Sequence, residues 1–277
     1  ALPASLAMST STGDITGTMN ASAATYNFTV TATDAQAQSS PRLFNIIVAA
    51  PPTGGIITTY TGFRVHTFKL GMSESFVFNP NKSLNVDYLV VAGGGGGGHG
   101  EIAGGGDGAG GGGGGGFRTA AALAVTAQNY TIVVGAGGAG GSANVSDQGD
   151  DGGVSTFASI TSAGGGGGGS DDGSSNNVGR DGGSGGGAAS EYGASRAGGS
   201  ATPAGQGNDG GYSNGANNKP GGGGGGAATA GEDIAGNNRT AGAGGLGEDQ
   251  VMGLSVADSY TLLTNAAGGV GHVVSGA

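Results

Sequence analysis

A few residue patterns in this 277-residue chain have types and spacings that chemistry could use. Gly182-Gly-Ser-Gly-Gly186 has the spacing of a nucleophile elbow, in which flanking glycines let a strand turn sharply and present a serine. No apolar strand precedes it and no amphipathic helix follows, so Ser184 is not expected to be a nucleophile. Gly-x-Gly-x-x-Gly recurs by composition alone and carries no information without a strand–turn–helix context. Lys219 precedes its glycine run, where a phosphate-binding loop needs a lysine after it. The acidic pairs Asp150-Asp151, Asp171-Asp172 and Glu232-Asp233 could supply carboxylate oxygens to Ca²⁺. Gly104-Gly-Gly-Asp-Gly and Asn208-Asp-Gly-Gly211 fit pieces of a calcium-binding nonapeptide, but no nine-residue period is sustained. Solubilising charge on loop tips is the favoured reading of these acids, and no cofactor is expected, Ca²⁺ being the minority alternative. His66, His99 and His272 are too scattered for a zinc triad, and without cysteine there is no thiolate. With no pair of titratable groups set in an expected apolar pocket, an enzyme is the least expected class.

Recognition is the chemistry that remains. Polar segments between glycine runs mix Tyr and Arg with Asn, Ser and Gly, which combine rigid contact area with adaptable hydrogen bonding. The candidate contact residues are Asp171, Asp172, Asn176, Asn177, Arg180, Asp181, Tyr192, Arg196, Asn208, Asp209, Tyr212, Asn217, Asn218, Lys219, Asn237, Asn238 and Arg239. A net charge of −10 argues against nucleic acid, whose phosphates require a basic patch, and against anionic lipid. No apolar run approaches the roughly 18 residues of a membrane span, and no basic, then apolar, leader opens the chain.

The elements that must position these residues fall into segments by glycine content. Of 70 glycines, 6 lie in residues 1–91, 59 in 92–247 and 5 in 248–277. Residues 1–50 are expected to form a partial β domain, with a strand at Tyr26-Asn-Phe-Thr-Val-Thr-Ala-Thr-Asp34 from its alternation and β-branched content and a second strand candidate at Leu43 to Val48. Asp34 is read as a turn former. Residues 51–91 are a linker and a small antiparallel sheet, with strands expected at 56–60, 63–68, 76–78 and 86–91. Residues 248–277 close the chain with further β structure. Ala120 to Thr126 is the best short helix candidate and is as easily strand or loop, so almost no α-helix is expected.

Uninterrupted glycine runs stand at Gly93 to Gly98, Gly110 to Gly116, Gly164 to Gly169 and Gly221 to Gly226, with interrupted ones at 135–141, 182–187 and 242–247. A flexible linker would need neither matched run lengths nor the apolar segments Leu89-Val-Val91 and Tyr130-Thr-Ile-Val-Val134 beside them. Polyglycine can instead adopt a left-handed helix with three residues per turn, so that six residues span about 19 Å. Such a helix has no internal hydrogen bonds, and side-by-side packing lets its outward N–H and C=O groups satisfy one another. The expected fold is therefore a partial β domain and a small antiparallel sheet, followed by a packed bundle of left-handed polyglycine helices.

Two resemblances bear on function. Leu2-Pro-Ala-Ser-Leu-Ala-Met-Ser-Thr-Ser-Thr-Gly-Asp-Ile-Thr-Gly17 with the Tyr26 to Asp34 strand resembles the immunoglobulin-like repeats of bacterial and phage surface proteins. That resemblance implies an immunoglobulin-like sandwich fragment, and because such repeats have strands before the Leu-Pro it implies a fragment of a longer polypeptide. Val65-His-Thr-Phe68, Asn85-Val-Asp-Tyr-Leu-Val-Val-Ala-Gly-Gly-Gly-Gly-Gly-Gly98, Gly114-Gly-Gly-Phe-Arg118, Tyr130-Thr-Ile-Val-Val-Gly-Ala-Gly-Gly138, Ser155-Thr-Phe157 and Gly268-Gly-Val-Gly-His-Val-Val274 resemble the glycine-rich domain of phage tail-fibre proteins, including the distal adhesins of T-even-like phages. That resemblance implies a layered polyglycine sandwich whose variable loops bind a host-cell surface receptor, protein or glycan, on a virion or extracellular fibre beside other fibre subunits. Immunoglobulin-like sequence here replaces the fibre-attachment segment of those adhesins. The alternatives are a self-assembling filament or spacer and an ice-binding protein, the latter requiring a regular Ala or Thr face that the irregular spacers do not show.

Overall fold

The computed structural model describes residues 2–3, 5–18, 22–60, 63–72, 76–100, 108–142, 148–171, 175–190, 194–215, 220–234 and 241–247. The expected closing segment 248–277 lies outside them. Among the described residues all regular secondary structure is β, apart from one 3-10 turn, Ser175–Asn177.

The first 49 residues form two hairpins. β1 (Leu6–Met8) pairs antiparallel with β2 (Ile15–Gly17), and β3 (Ala24–Thr33) with β4 (Ser39–Val48). Cross-strand register stacks Phe28 on Phe44 at 5.8 Å between ring centroids, as directly opposed aromatics on one face should. Asp34 forms the turn, its Oδ1 accepting the amides of Gln36 (3.0 Å) and Gln38 (2.8 Å).

Residues 51–91 do not close into one sheet of their own. β5 (Ile56–Tyr60) pairs with β6 (Phe63–Thr67), but β7 (Val77–Phe78) takes its partner from β10 (Tyr130–Thr131), and β8 (Leu84–Val91) from β9 (Phe117–Val125). The helix-or-strand ambiguity at 120–126 is thus settled as strand. A last hairpin joins β11 (Ser155–Phe157) to β12 (Ile160–Ser162). Phe157 gathers these pieces: Phe78 (5.9 Å), Tyr130 (6.0 Å) and Tyr88 (6.4 Å) all meet its ring edge to face, and His66 packs on Phe78 at 5.0 Å. This is the favoured geometry of aromatic pairs.

Beyond the strands, the described residues of the glycine-rich backbone form twelve short extended runs that bond to one another: A (92–98), B (108–116), C (135–141), D (149–154), E (163–170), F (177–182), G (183–190), H (196–200), I (207–213), J (220–226), K (229–234) and L (241–246). Run G shows the rule. Its amides 184 and 187 donate to Gly114 and Gly111 of B, 185 and 188 to Asn208 and Gly211 of I, and 186 and 189 to Arg180 and Asn177 of F. Its carbonyls 184 and 187 accept from Gly166 and Gly169 of E, 185 and 188 from Gly225 and Gly222 of J, and 186 from Gly199 of H. Donors and acceptors therefore each cycle through three neighbours with a period of three residues. The entropy lost by ordering glycine is set against this near-complete satisfaction of buried backbone groups.

Glycine is obligatory where a Cβ would point into the backbone of a neighbouring run. A Cβ on Gly96 would lie 1.9 Å from the Ala139 carbonyl oxygen, one on Gly98 1.9 Å from that of Gly169, and one on Gly187 2.1 Å from that of Gly222. The small buried exceptions are Ala188, Ala189, Ser170, Ser184 and Ser190, each 0 % exposed.

The polar spacers contain more order than their composition announces. Runs D, F, H, I and K, read from sequence as parts of loops, are return passes of the same network. Asp150 donates to Ala139 and accepts from Gly96, and Glu232 donates to Ala243 and accepts from Gly223. These acids belong to runs, and the loop-tip reading of Asp150-Asp151 and Glu232-Asp233 is corrected accordingly.

Candidate functional site

Run directions follow from register. A and B pair antiparallel (92, 95 and 98 with 116, 113 and 110), E and C lie parallel to A, D lies antiparallel to C, and G lies parallel to E and antiparallel to F. H lies parallel to F, I parallel to G, J antiparallel to I, K parallel to I, and L parallel to J. The runs thus alternate up and down along the chain. All six connections A–B, C–D, E–F, G–H, I–J and K–L leave from one end. At the other end the links are the β9–β10 and β11–β12 segments, the direct step from F to G, residues 201–206 and residues 227–228.

This topology sorts the candidate contact residues. Asp171 and Asn176 stand in the E–F connection, Asn177 opens run F, Arg196 opens run H, and Tyr212 nearly closes run I, all at the common end. Asp172, Tyr192, Asn217, Asn218, Lys219, Asn237, Asn238 and Arg239 lie outside the described residues. Arg180 and Asp181 lie farther down run F, and Asn208 and Asp209 begin run I at the opposite end. The tertiary fold does not bring these four to the loop end.

The described side chains are largely engaged. Arg180 pairs with Asp151 at 3.0 Å, each side chain 42 % exposed. Asp181 Oδ1 accepts the Ser200 amide and Asp209 Oδ1 that of Ala201, both at 2.7 Å. Asn208 Nδ2 donates to the carbonyls of Gly226 (3.0 Å) and Ala227 (2.9 Å). Asp151, Asp233 and Glu232 accept the amides of Gly167, Tyr212 and Ala243. A carboxylate takes the place of a missing neighbour run, satisfying an edge amide that would otherwise be left without a protein acceptor. The composition showed acids but could not show which amides lacked partners.

Residues of the loop end differ in exposure. Asn177 is 1 % exposed, with neither amide atom hydrogen-bonded. Asp171 is 6 % exposed, and its amide donates to the His99 carbonyl, which also accepts from Ser170 Oγ. Tyr212 is 36 % and Val178 39 % exposed, so they present apolar area outward. Val178 was not singled out from sequence, because a lone valine among polar residues carries no signal. Arg196 and Ser213 hold runs H and I together through reciprocal backbone bonds of 2.7 and 2.9 Å. Ser184 of the elbow-like motif is wholly buried, and its Oγ has no hydrogen-bond partner.

Two family models match the chain. Residues 1–49 match the family described as "Putative Ig domain", where β1 to β4 form their two hairpins. Residues 72–277 match the glycine-rich domain family, covering the strands from β7 onward and all twelve runs. No curated protein and no solved structure matches the chain. With more than half of its length matched, and with glycine placed where backbones touch, the chain belongs to the glycine-rich domain family.

Proposed function

We propose that this is a non-enzymatic fibre protein, a phage tail-fibre or surface-fibre adhesin, in which a rigid glycine scaffold presents polar loops to a cell-surface receptor. The runs are, on this reading, left-handed polyglycine helices. Their period-three bonding and the absence of left-handed-region φ values at the glycines of runs such as A, B, E and J support it, since that helix has three residues per turn and φ near −75°. The single observation carrying the functional reading is that six connections of differing sequence emerge from one end of an otherwise backbone-locked body. Binding loops held by a rigid scaffold are a general arrangement, because order in the scaffold removes part of the entropy cost of binding.

Replacing the connections at that end one at a time by Gly/Ser segments of equal length tests this. Attachment of the purified protein to bacterial cells should fall for one or more of them while the thermal midpoint holds. An equal replacement of 201–206, at the opposite end, should leave attachment intact. Attachment unchanged by every loop-end replacement, or lost through 201–206 alone, would defeat the reading.

One observation favours the self-assembling alternative. Run C has described neighbours only in A and D, and its amides 136, 137, 139 and 140 donate to no described group. An exposed row of backbone donors can template another chain, as an edge strand does. Concentration-dependent growth of the particle in analytical ultracentrifugation, abolished by Gly137→Glu, would support that role.

A further inference from the structure

We propose that Asn214 is a site of spontaneous deamidation and isoaspartate formation, singled out because the backbone network locks the competing glycine amides. Asn214-Gly215 is the one Asn-Gly pair in the sequence. In such a pair the backbone nitrogen of the glycine gives up its proton and attacks the asparagine Cγ. The N–Cγ bond forms, the bond from Cγ to the side-chain nitrogen breaks, and that nitrogen leaves as ammonia. Water then opens the resulting succinimide at either carbonyl, leaving aspartate or isoaspartate. No oxidant or reductant is involved. A glycine on the C-terminal side favours the step because no Cβ shields the attacking nitrogen.

The same ring closure, with loss of water, is open to Asp-Gly pairs, and the structure blocks it at each one whose glycine is described. The Gly108 amide donates to Ser190 Oγ at 2.9 Å. Gly152 donates to Gly165 at 2.8 Å, Gly182 to Ser200 at 3.2 Å and Gly210 to Gly199 at 2.9 Å. A nitrogen whose proton is held in a network bond must first open locally. The Gly215 amide donates to no described group. Its residue sits at φ +66°, just past the point where Arg196 and Ser213 clamp runs H and I. Ser195 Oγ donates to the Asn214 carbonyl at 3.3 Å, anchoring one side of the reacting pair. The product places a new carboxylate, and in the isoaspartate a longer backbone, in the I–J connection. The functional consequence, though not the chemistry, rests on the recognition role proposed for that end.

The test is peptide mass mapping of the full-length folded protein held in mildly alkaline buffer at physiological temperature, with isoaspartyl methyltransferase labelling at intervals. The Asn214 peptide should gain the mass of NH exchanged for O and become the labelled species. Labelling at Asp151, Asp181 and Asp209 should stay at least about tenfold slower in the folded protein and rise when the chain is kept in denaturant, as expected when local opening limits the reaction. Asn214→Gln, shown to be folded by a cooperative thermal transition, should abolish the signal. Asn214 persisting unmodified in the folded protein while its excised peptide deamidates would overturn the proposal, as would equal labelling of the Asp-Gly sites in the folded state. If attachment to cells fails to decline as Asn214 converts, the recognition role of this connection is refuted while the modification stands.

Discussion

Two adjacent glycines allow the packing argument to be tested with a single added methyl group. Gly96 is buried in run A, and a Cβ there would sit 1.9 Å from the Ala139 carbonyl oxygen of run C, where ordinary contact begins at 3.4 Å. Gly97 is exposed, and the nearest atom to its Cβ would be the Gly110 carbonyl oxygen at 3.8 Å. Neither glycine has φ in the left-handed region, so backbone strain does not separate them. Making room for Gly96→Ala means displacing the Ala139 end of run C from A and D. The bonds at stake are Gly138 to Gly94, Gly141 to Gly97 and Asp150 to Ala139. At about 1 kcal/mol net for each, the loss is roughly 3 kcal/mol. For a body of this size that lowers the thermal midpoint by about 6–12 °C. Gly97→Ala leaves the bonds intact and restricts the unfolded chain, which stabilises by about 0.4–1 kcal/mol. Differential scanning calorimetry of the two full-length variants should therefore show shifts of opposite sign. Equal losses in both, or none in either, would refute the claim that close backbone approach dictates glycine here.

Other consequences can be checked with the same protein. Asp209→Ala removes the acceptor of the Ala201 amide and should cost about 1 kcal/mol, read as a lower thermal midpoint. Asp209→Asn keeps the oxygen and should recover most of the loss. Phe157→Ala empties the centre of the aromatic cluster and should cost about 3 kcal/mol in denaturant unfolding, with the near-ultraviolet signal of the tyrosines collapsing. The Thr126 hydroxyl, and then its amide, hold the Tyr130 phenol below its ordinary pKa, since donors to the phenolate favour the charged form. Thr126→Val should therefore move the absorbance titration of Tyr130 toward higher pH.

Much of the chain was legible because its cause is local. Alternation marked the strand observed at Ala24–Thr33, the Leu43 to Val48 candidate is the second half of the strand observed at Ser39–Val48, and Asp34 closes its turn through its own side chain. Unbroken glycine runs marked interior passes, since a run touched on many sides has no direction left for a Cβ. The sequence by itself therefore determined that a glycine-built body follows β hairpins. It also placed the long runs and supplied polar segments of varied composition between them.

Tertiary structure decided the rest. A run with few neighbours needs glycine only where it faces one. Gly149 and Gly152 of run D, three residues apart, are the positions whose Cβ atoms would meet Gly96 and Gly93 at 2.0 Å, and acids fill the places between. Such runs read as loop because their requirement is set by partners distant in the chain. Register likewise decided that Asp171, Asn176, Arg196 and Tyr212 share one end, while Arg180, Asp181, Asn208 and Asp209 brace the body through its edge amides and carbonyls. Whether a polar side chain faces solvent or completes the backbone network depends on which amide a neighbouring run leaves unpaired, and only the packed arrangement of all the runs sets that.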